Sequence, residues 1–302
     1  MTGASDLTAD VHVTDPSNTV GDALAAATQR LRATSDTPRL DAEVLLAHVT
    51  GRDRTWVLAH PEVPVPEAGV FEAAVARRST GEPVAYIRGF KEWRSLRIRT
   101  DARALIPRPE TELVVEASAA EIRARGEPAV AWDVATGSGA IALALALDFR
   151  ESLADGRLRL IASDASPEAL ELAAENLRAH GVAEAVELVE ADLLDPAGER
   201  LPRPDIVIAN LPYISSAEVD ERRGSLGFEP RIALDGGPDG LDLLRRFLAD
   251  APLHAAPGAT LVLELGVDQV AAVTRLAPVG ASVSVVRDLA GLDRVVRIEL
   301  PA

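Results

Sequence analysis

"AVAWDVATGSGAIALALALDF", residues 129–149, is the stretch on which the fold turns. Its first six residues read as a β-strand that ends beside an acid, Asp133. Gly137 and Gly139 then mark a turn, and "GAIALALALDF" reads as a helix. Glycines at such a turn let the backbone approach a ligand closely. The helix N-terminus behind them favours an anion. The same pattern also arises as a tight strand-to-helix turn with no ligand. Gly137-Ser138-Gly139 followed by Ala142 fits the relaxed dinucleotide fingerprint as well, so the kind of nucleotide is left open at this point.

Working outward, strands and helices alternate. "LRLIASD" is a strand, and "SPEALELAAENLRAHG" a helix capped by Ser166 and stopped by Gly181. "AVELVEAD" and "PDIVIAN" are strands, and "GLDLLRRFLADAPLHAAPG" is a helix with Leu241, Leu244, Leu248 and Ala251 on one face. "ATLVLELG", "SVSVVRD" and "DRVVRIEL" close the series. This alternation predicts a doubly wound α/β domain with a mostly parallel sheet. Such sheets bind ligands at the carboxyl ends of their strands.

Two of those strand ends carry chemistry. The strand after the glycine turn ends in Asp164, 25 residues beyond Gly139, where a carboxylate can take both hydroxyls of a ribose. The fourth strand ends at Asn210 and breaks at Leu211-Pro212-Tyr213. Asn210 offers a side-chain acceptor, and Pro212 fixes the turn that directs the Leu211 carbonyl. Tyr213, one of two tyrosines, offers a ring to a planar group. Two acceptors and an aromatic wall suit a planar NH₂ group whose nitrogen is aimed at an activated methyl. An amide nitrogen is a poor nucleophile, and orientation alone can supply roughly 7–11 kcal/mol. A simple turn closing a strand is the competing reading of Asn210–Tyr213.

Composition narrows the field. The chain has 302 residues, enough for one or two domains. It has no cysteine, which removes disulfides and thiolate chemistry. His12, His48, His60, His180 and His254 are scattered without metal-ligand spacing, so no metal is expected. The net charge of −16 argues against a stable nucleic-acid partner. No apolar run is long enough for a bilayer, so no membrane association is expected. Residues 1–18 lack a signal peptide's pattern and read as a disordered leader, which makes the cytoplasm the expected location.

Ahead of the α/β series, "TVGDALAAATQRLRATS", "PRLDAEVLLAHVTG" and "EAGVFEAAVARRSTG" read as helices. Asn18 or Thr19 caps the first, and Gly51 stops the second. "PVAYIRGFKEWRSLRIRT" has β-rich patches around a glycine and suggests a hairpin. The expected divisions are a helical module at 1–82, a hairpin linker at 83–106 and the α/β domain at 107–302. "LIPRPETELVVE" opens a helix at Pro109, either as a plain helix start or as a wall of the site, with Arg108 and Glu110 as its candidates.

Eight segments together resemble a known family. "DAEVLLAHVTGRDR", "GEPVAYIRGFKEW", "LIPRPETELVVE", "DVATGSGAIALALA", "NLPYI", "FEPRIALDGGPDGLDLLR", "LVLELGVDQ" and "DLAGLDRVVRIEL" follow one another as in the peptide chain release factor glutamine methyltransferases, over roughly residues 20–300. The resemblance implies an N-terminal helical bundle that docks the partner, a hairpin linker and a seven-stranded methyltransferase domain. It implies S-adenosylmethionine as cofactor. The substrate it implies is the glutamine of the Gly-Gly-Gln loop of class 1 release factors. By position, Ala135, Thr136, Gly137, Ser138 and Gly139 form the loop beside the methionine part of the cofactor. Asp164 then binds the ribose, and Asp192 and Leu193 flank the adenine. Asn210, Leu211, Pro212 and Tyr213 hold the substrate glutamine.

Two departures bear on this. Ala135 stands where the family commonly has glycine, which a negative φ would accommodate. "NLPY" replaces "NPPY"; the Leu211 role uses only its backbone, but "NLPY" also resembles ribosomal RNA adenine dimethyltransferases. An adenine N-methyltransferase is therefore the alternative, with a ribosomal protein as another glutamine substrate and a non-catalytic cofactor-binding module as a third class. Glu229 and Arg231 are expected either to cover the substrate or to pair within their loop. Glu264, ending a strand, is expected either to contact the cofactor side or, as the favoured reading, to cap the strand end.

Overall fold

Apolar residues at helical spacing build the first part of the chain. The computed structural model describes residues 19–195, 201–222 and 224–302. The leader at 1–18, with His12 and Asn18, lies outside the described residues. Helix α1 (Val20–Leu31) turns Val20, Ala23, Leu24, Ala27 and Leu31 inward. Thr19 caps it, its hydroxyl oxygen accepting the Asp22 N–H at 3.2 Å. Helix α2 (Pro38–Thr50) starts on a proline and ends at Gly51 with φ 63°. Helices α3 (Arg54–Ala59), α4 (Ala68–Ser79) and α5 (Val84–Arg88) complete the bundle around Leu24, Leu45 and Phe71.

The chain divides into compact units after Arg88. The sequence placed the boundary at 82/83 and a separate linker to 106; two local causes move it. "VAYIR" is helical because the N–H groups of Tyr86 and Ile87 donate to the Pro83 carbonyl. The hairpin itself, β1 (Phe90–Trp93) and β2 (Leu96–Arg99), belongs to the second unit. Asn176 holds it there: its Oδ1 accepts the Arg99 N–H at 2.7 Å, and its Nδ2 donates to the Arg99 and Ser138 carbonyls. The hairpin turns at Arg94–Ser95, both with positive φ, rather than at Gly89.

The second unit continues with α6 (Thr111–Arg125), β3 (Ala129–Val134), α7 (Ala140–Asp148), α8 (Arg150–Ala154), β4 (Leu158–Asp164), α9 (Pro167–Ala179) and β5 (Val186–Glu190). Then come β6 (Ile206–Ala209), α10 (Ser216–Glu221), α11 (Asp242–His254), β7 (Thr260–Glu264), α12 (Val270–Leu276), β8 (Ser282–Arg287) and β9 (Asp293–Glu299). The seven-stranded sheet has the order β5-β4-β3-β6-β7-β9-β8. Its first five members are parallel, and β9 runs antiparallel to β7 and β8. This is the doubly wound, mostly parallel architecture expected of a methyltransferase sheet.

Strand β6 shows why the sheet is covered on both sides. All four of its residues are buried. Ile206 and Ile208 join the core that holds Val114, Val115 and Leu143 of α6 and α7, while Val207 and Ala209 join that of Leu244, Phe247 and Leu248 of α11. Trp132 of β3 is the largest fully buried side chain, its indole N–H donating to the Ser163 hydroxyl at 2.8 Å. After β3 the chain lays β4 and β5 on one side and β6 and β7 on the other. The parallel strands therefore open a crevice at their carboxyl ends, at the point where the order reverses.

Ser95 has φ 58° in the hairpin turn, a conformation that costs an L-residue about 1 kcal/mol and glycine nothing. Ser95→Gly is expected to raise the unfolding free energy by about 0.5–1 kcal/mol in urea titration.

Candidate active site

The carboxyl ends of β3, β4, β5 and β6 wall a cleft of about 410 Å³. Its lining takes in Ala135, Thr136, Gly137 and Ser138 after β3, Asp164 at the end of β4, Asp192 and Leu193 after β5, and Asn210, Leu211 and Pro212 after β6. Ten of the twelve residues expected at the site thus share one cavity.

The two others stand apart for physical reasons. Gly139 has φ 76°, and a Cβ there would sit 2.9 Å from the Cβ of Ala173. Its missing side chain lets α7 start against α9. Tyr213 lines a neighbouring depression with Ile214, Gly266 and Gln269. Its ring packs on Gly266, where a Cβ would lie 3.4 Å from Tyr213 Cδ2, and burial pushes its hydroxyl pKa up.

The loop after β3 is strained and locked. Ala135 has φ 57°, so the negative φ that would suit an alanine is not what this position adopts. The turn persists because its neighbours over-determine it. Thr136 N–H donates to the Ser163 carbonyl at 2.8 Å, and Gly139 N–H to the Thr136 carbonyl at 2.9 Å. The Thr136 hydroxyl donates to Asp133 Oδ2 at 2.6 Å, and Ala142 N–H reaches the same oxygen at 3.2 Å. Asp133 is fully buried, and its Oδ1 has no partner. Burial pushes its pKa up to about 7, with the Asp164 charge adding to the rise and the two hydrogen bonds opposing it.

Asp164 faces the cleft with capacity to spare. Its Oδ2 accepts the Gly137 N–H and its Oδ1 the Ser166 N–H, each at 2.9 Å. Each oxygen keeps a lone pair for a hydroxyl donor. Burial raises its pKa against these backbone bonds. Asp192 is engaged by Arg246, another cleft residue, at 2.7 Å, and Leu193 at φ 56° turns the chain into the lining.

At the end of β6, Asn210 meets partners from two other elements. Its Nδ2 lies 3.5 Å from the hydroxyl oxygen of Thr111, the first residue of α6. Glu264, the last residue of β7, is 3 % exposed, and the side chains of Thr111 and Asn210 favour its charged form. Burial pushes its pKa up to about 7. The register of β6 and β7 sets Glu264 beside Asn210, on the flank of the site. Behind the turn, Gln269 donates from Nε2 to the Tyr213 and Gly240 carbonyls, both at 3.2 Å, and accepts the Gly266 N–H at 3.1 Å. A Cβ at Gly236 would lie 2.6 Å from the Pro212 carbonyl oxygen, and one at Gly240 would overlap that of Tyr213. The segment 236–240 thus braces the backbone of the Asn210–Tyr213 turn.

Leu105, Pro107 and Thr111 line the cleft, so "LIPRPETE" is a wall and not only a helix start; α6 begins at Thr111, two residues past Pro109. Glu229 is buried and accepts from the Ile106 N–H at 3.0 Å and from the Arg108 guanidinium. Arg231 pairs with Asp220 and Asp235, so Glu229 and Arg231 do not bond each other. The Arg108–Glu229 pair fastens the wall to the segment that supplies Ile232 and Ala233 to the cleft. Glu110 pairs with Arg294 at 3.5 Å. Thr111, Ile232, Leu243 and Arg246 were not singled out as site residues from the sequence; only the proline-flanked "LIPRPETE" carried a local signal for the first.

Two measurements test this loop. Ala135→Gly is expected to leave the unfolding free energy within about 1 kcal/mol, whereas Ala135→Val, β-branched at positive φ, loses about 2 kcal/mol or more in denaturant titration. Asp133 carries a folded pKa of about 7, raised above the roughly 3.9 of an unfolded aspartate, so the folded state binds the extra proton between these values. Its contribution to stability therefore falls as pH rises from about 4 to about 7. The difference between Asp133→Asn and the parent should move in the variant's favour across that window, at up to about 1.4 kcal/mol per pH unit.

Comparison with known proteins agrees with the geometry. Residues 22–89 match the PrmC N-terminal domain family. The chain is 41 % identical over 277 residues to the release factor glutamine methyltransferase of Xylella fastidiosa, covering 90 % of this chain and 94 % of that protein. It is 42 % identical over 286 residues to the enzyme of the same name from Moorella thermoacetica, covering 91 % and 96 %. A methyltransferase from Pyrococcus furiosus shares the fold, with a TM-score of 0.50 at 17 % identity over 76 % of this chain and 98 % of that one. With a methyltransferase sheet, a cleft at its strand ends and this identity over nearly its whole length, the chain belongs to the release factor glutamine methyltransferase family.

Proposed function

We propose that this enzyme moves the methyl group of S-adenosylmethionine to the side-chain amide nitrogen of the glutamine in the Gly-Gly-Gln loop of class 1 peptide chain release factors. The single observation that carries the reading is the cleft wall at the end of β6. There the Asn210 side chain and the Leu211 backbone share one cavity with the glycine loop and Asp164. Family membership names the reaction, and this wall supplies its chemistry.

The donor fits the residues present. Asp164 has an unused lone pair on each oxygen for the two ribose hydroxyls. Leu193 and Ile141 offer apolar surface to the adenine, and the 135–138 loop lies where the amino acid part would run. When bound, the sulfonium supplies an electrophilic methyl carbon. Asn210 Oδ1 and the Leu211 carbonyl accept one proton each from the substrate carboxamide, which enriches the nitrogen and aims it. Transfer would form the nitrogen–carbon bond as the sulfur–carbon bond breaks, and one amide proton would leave to water. Placement in line contributes most, since oriented groups can recover roughly 7–11 kcal/mol. Tyr213, packed on Gly266, supports the turn from behind the wall. The N-terminal helical unit docks the release factor.

The test is mass spectrometry of a class 1 release factor incubated with the enzyme and isotope-labelled donor. One methyl on the loop glutamine is expected; a methyl elsewhere, or on an adenine of added RNA, rejects the reading. Asn210→Ala should lower the transfer rate by about 10²–10³-fold, the usual cost of one preorganised hydrogen-bonding group, with donor affinity largely kept.

A further inference from the structure

Asn210 has two orientations that differ only by exchange of its oxygen and its NH₂. One presents an acceptor to the cleft, and the other presents donors. A substrate NH₂ group needs the acceptor. In the absence of a partner behind it, a carboxamide of this kind has little to choose between the two.

The structure supplies that partner from the next strand. Strands β6 and β7 are parallel with Ala209 opposite Leu263, so residues 210 and 264 stand side by side at the carboxyl edge. Glu264 is 3 % exposed and lies outside the cleft lining, and the Thr111 and Asn210 side chains favour its charged form. Its Oε2 has no partner. An ionised carboxylate is an acceptor only, so it takes an N–H of Asn210 and offers nothing to its oxygen. The Thr111 hydroxyl oxygen accepts from Asn210 Nδ2 at 3.5 Å, so its own proton can turn toward that carboxylate. Both neighbours then favour one orientation.

We propose that Glu264 is a positioning residue that locks the Asn210 amide with Nδ2 inward and Oδ1 toward the cleft. This rests on the reading that the substrate is a carboxamide. It also explains why the fold tolerates a buried acid at the end of β7, where a carboxylate with an unpaired oxygen is otherwise destabilising.

The lock has a pH limb. Glu264 is flanked by Glu110 ahead of α6, by Arg294 of β9, which also pairs with Asp288 and Glu110, and by the Tyr213 hydroxyl. Burial and the Glu110 charge keep its proton on until about pH 7, and Arg294 opposes them. The ionised form is the one that locks, so the lock weakens as pH falls through about 7. Once protonated, Glu264 can donate to the Asn210 oxygen and support the inverted amide.

Glu264→Gln, Glu264→Asp and Thr111→Val test this by single-turnover transfer to a release factor, with donor affinity measured by calorimetry. Glu264→Gln should slow transfer by about 100-fold and erase the acid limb while donor affinity stays within about threefold, as expected for a group that orients another. Glu264→Asp should recover much of the rate, and Thr111→Val should lose about tenfold. A second readout needs no substrate: the Asn210 side-chain amide protons, observed by ¹⁵N NMR in the parent enzyme, should be exchange-protected and should shift as the pH crosses neutrality. Parent-like transfer by Glu264→Gln, equal loss of rate and donor affinity, or unprotected Asn210 amide protons would overturn the proposal. If the parent methylates no release factor, the substrate reading fails while the amide protons still decide the lock.

Discussion

The site depends on the register of three parallel strands. With Val134 of β3 opposite Ala209 of β6, and Ala209 opposite Leu263 of β7, the residues that follow all emerge at one edge. Ala135, Asn210 and Glu264 are then neighbours by construction. A one-residue slip in β6 would send Ile206 and Ile208 to the wrong core and turn Asn210 away. Because β6 is buried on both faces, that slip is strongly disfavoured, and the sheet transmits its packing into the aim of one amide.

Around that edge the fold gathers several unfavourable features. Ala135 and Leu193 hold positive φ, and Asp133 and Glu264 are buried acids, each with an oxygen lacking a partner. Such features cluster where a rigid, polar, water-poor wall matters more than local comfort. They persist because short bonds surround them. Thr136 braces Asp133, and Gln269 clamps the turn after Asn210. Gly236 and Gly240 allow a second loop to lie on that turn's carbonyls. The Arg108–Glu229 pair, with Glu229 buried, joins the wall before α6 to the segment holding Ile232. Removing either partner would leave the other's charge or the buried Ile106 N–H poorly satisfied.

The strand-end residues were legible from the chain alone. Period-2 and period-3.6 patterns located the strands and helices, and in a parallel α/β sheet the carboxyl ends form the crevice, so Asp164 and Asn210 followed from counting. The glycine turn was legible as a turn, but its glycines were not legible as ligand-facing or helix-facing. Gly139 faces Ala173, a contact set by an element 34 residues away that no local pattern shows. The sign of φ at Ala135 was equally hidden, since it is set by bonds from Thr136 to Ser163 and Asp133. Residues 84–88 carry strand-forming types yet fold as a helix, where the preceding Pro83 supplies the first acceptor.

What the amino-acid order determined by itself is the alternation of elements, the helical first unit and the identity of the groups at each strand end. These rest on local periodicity and turn chemistry, which need no knowledge of distant contacts. The tertiary structure alone decided that Thr111, Asn210 and Glu264 meet at one edge of the sheet, that Glu229 bonds Arg108 and not Arg231, and that Tyr213 turns from the cleft to Gly266. Each of these joins segments far apart in sequence. Their pairing is set by strand order and packing, which no local pattern encodes.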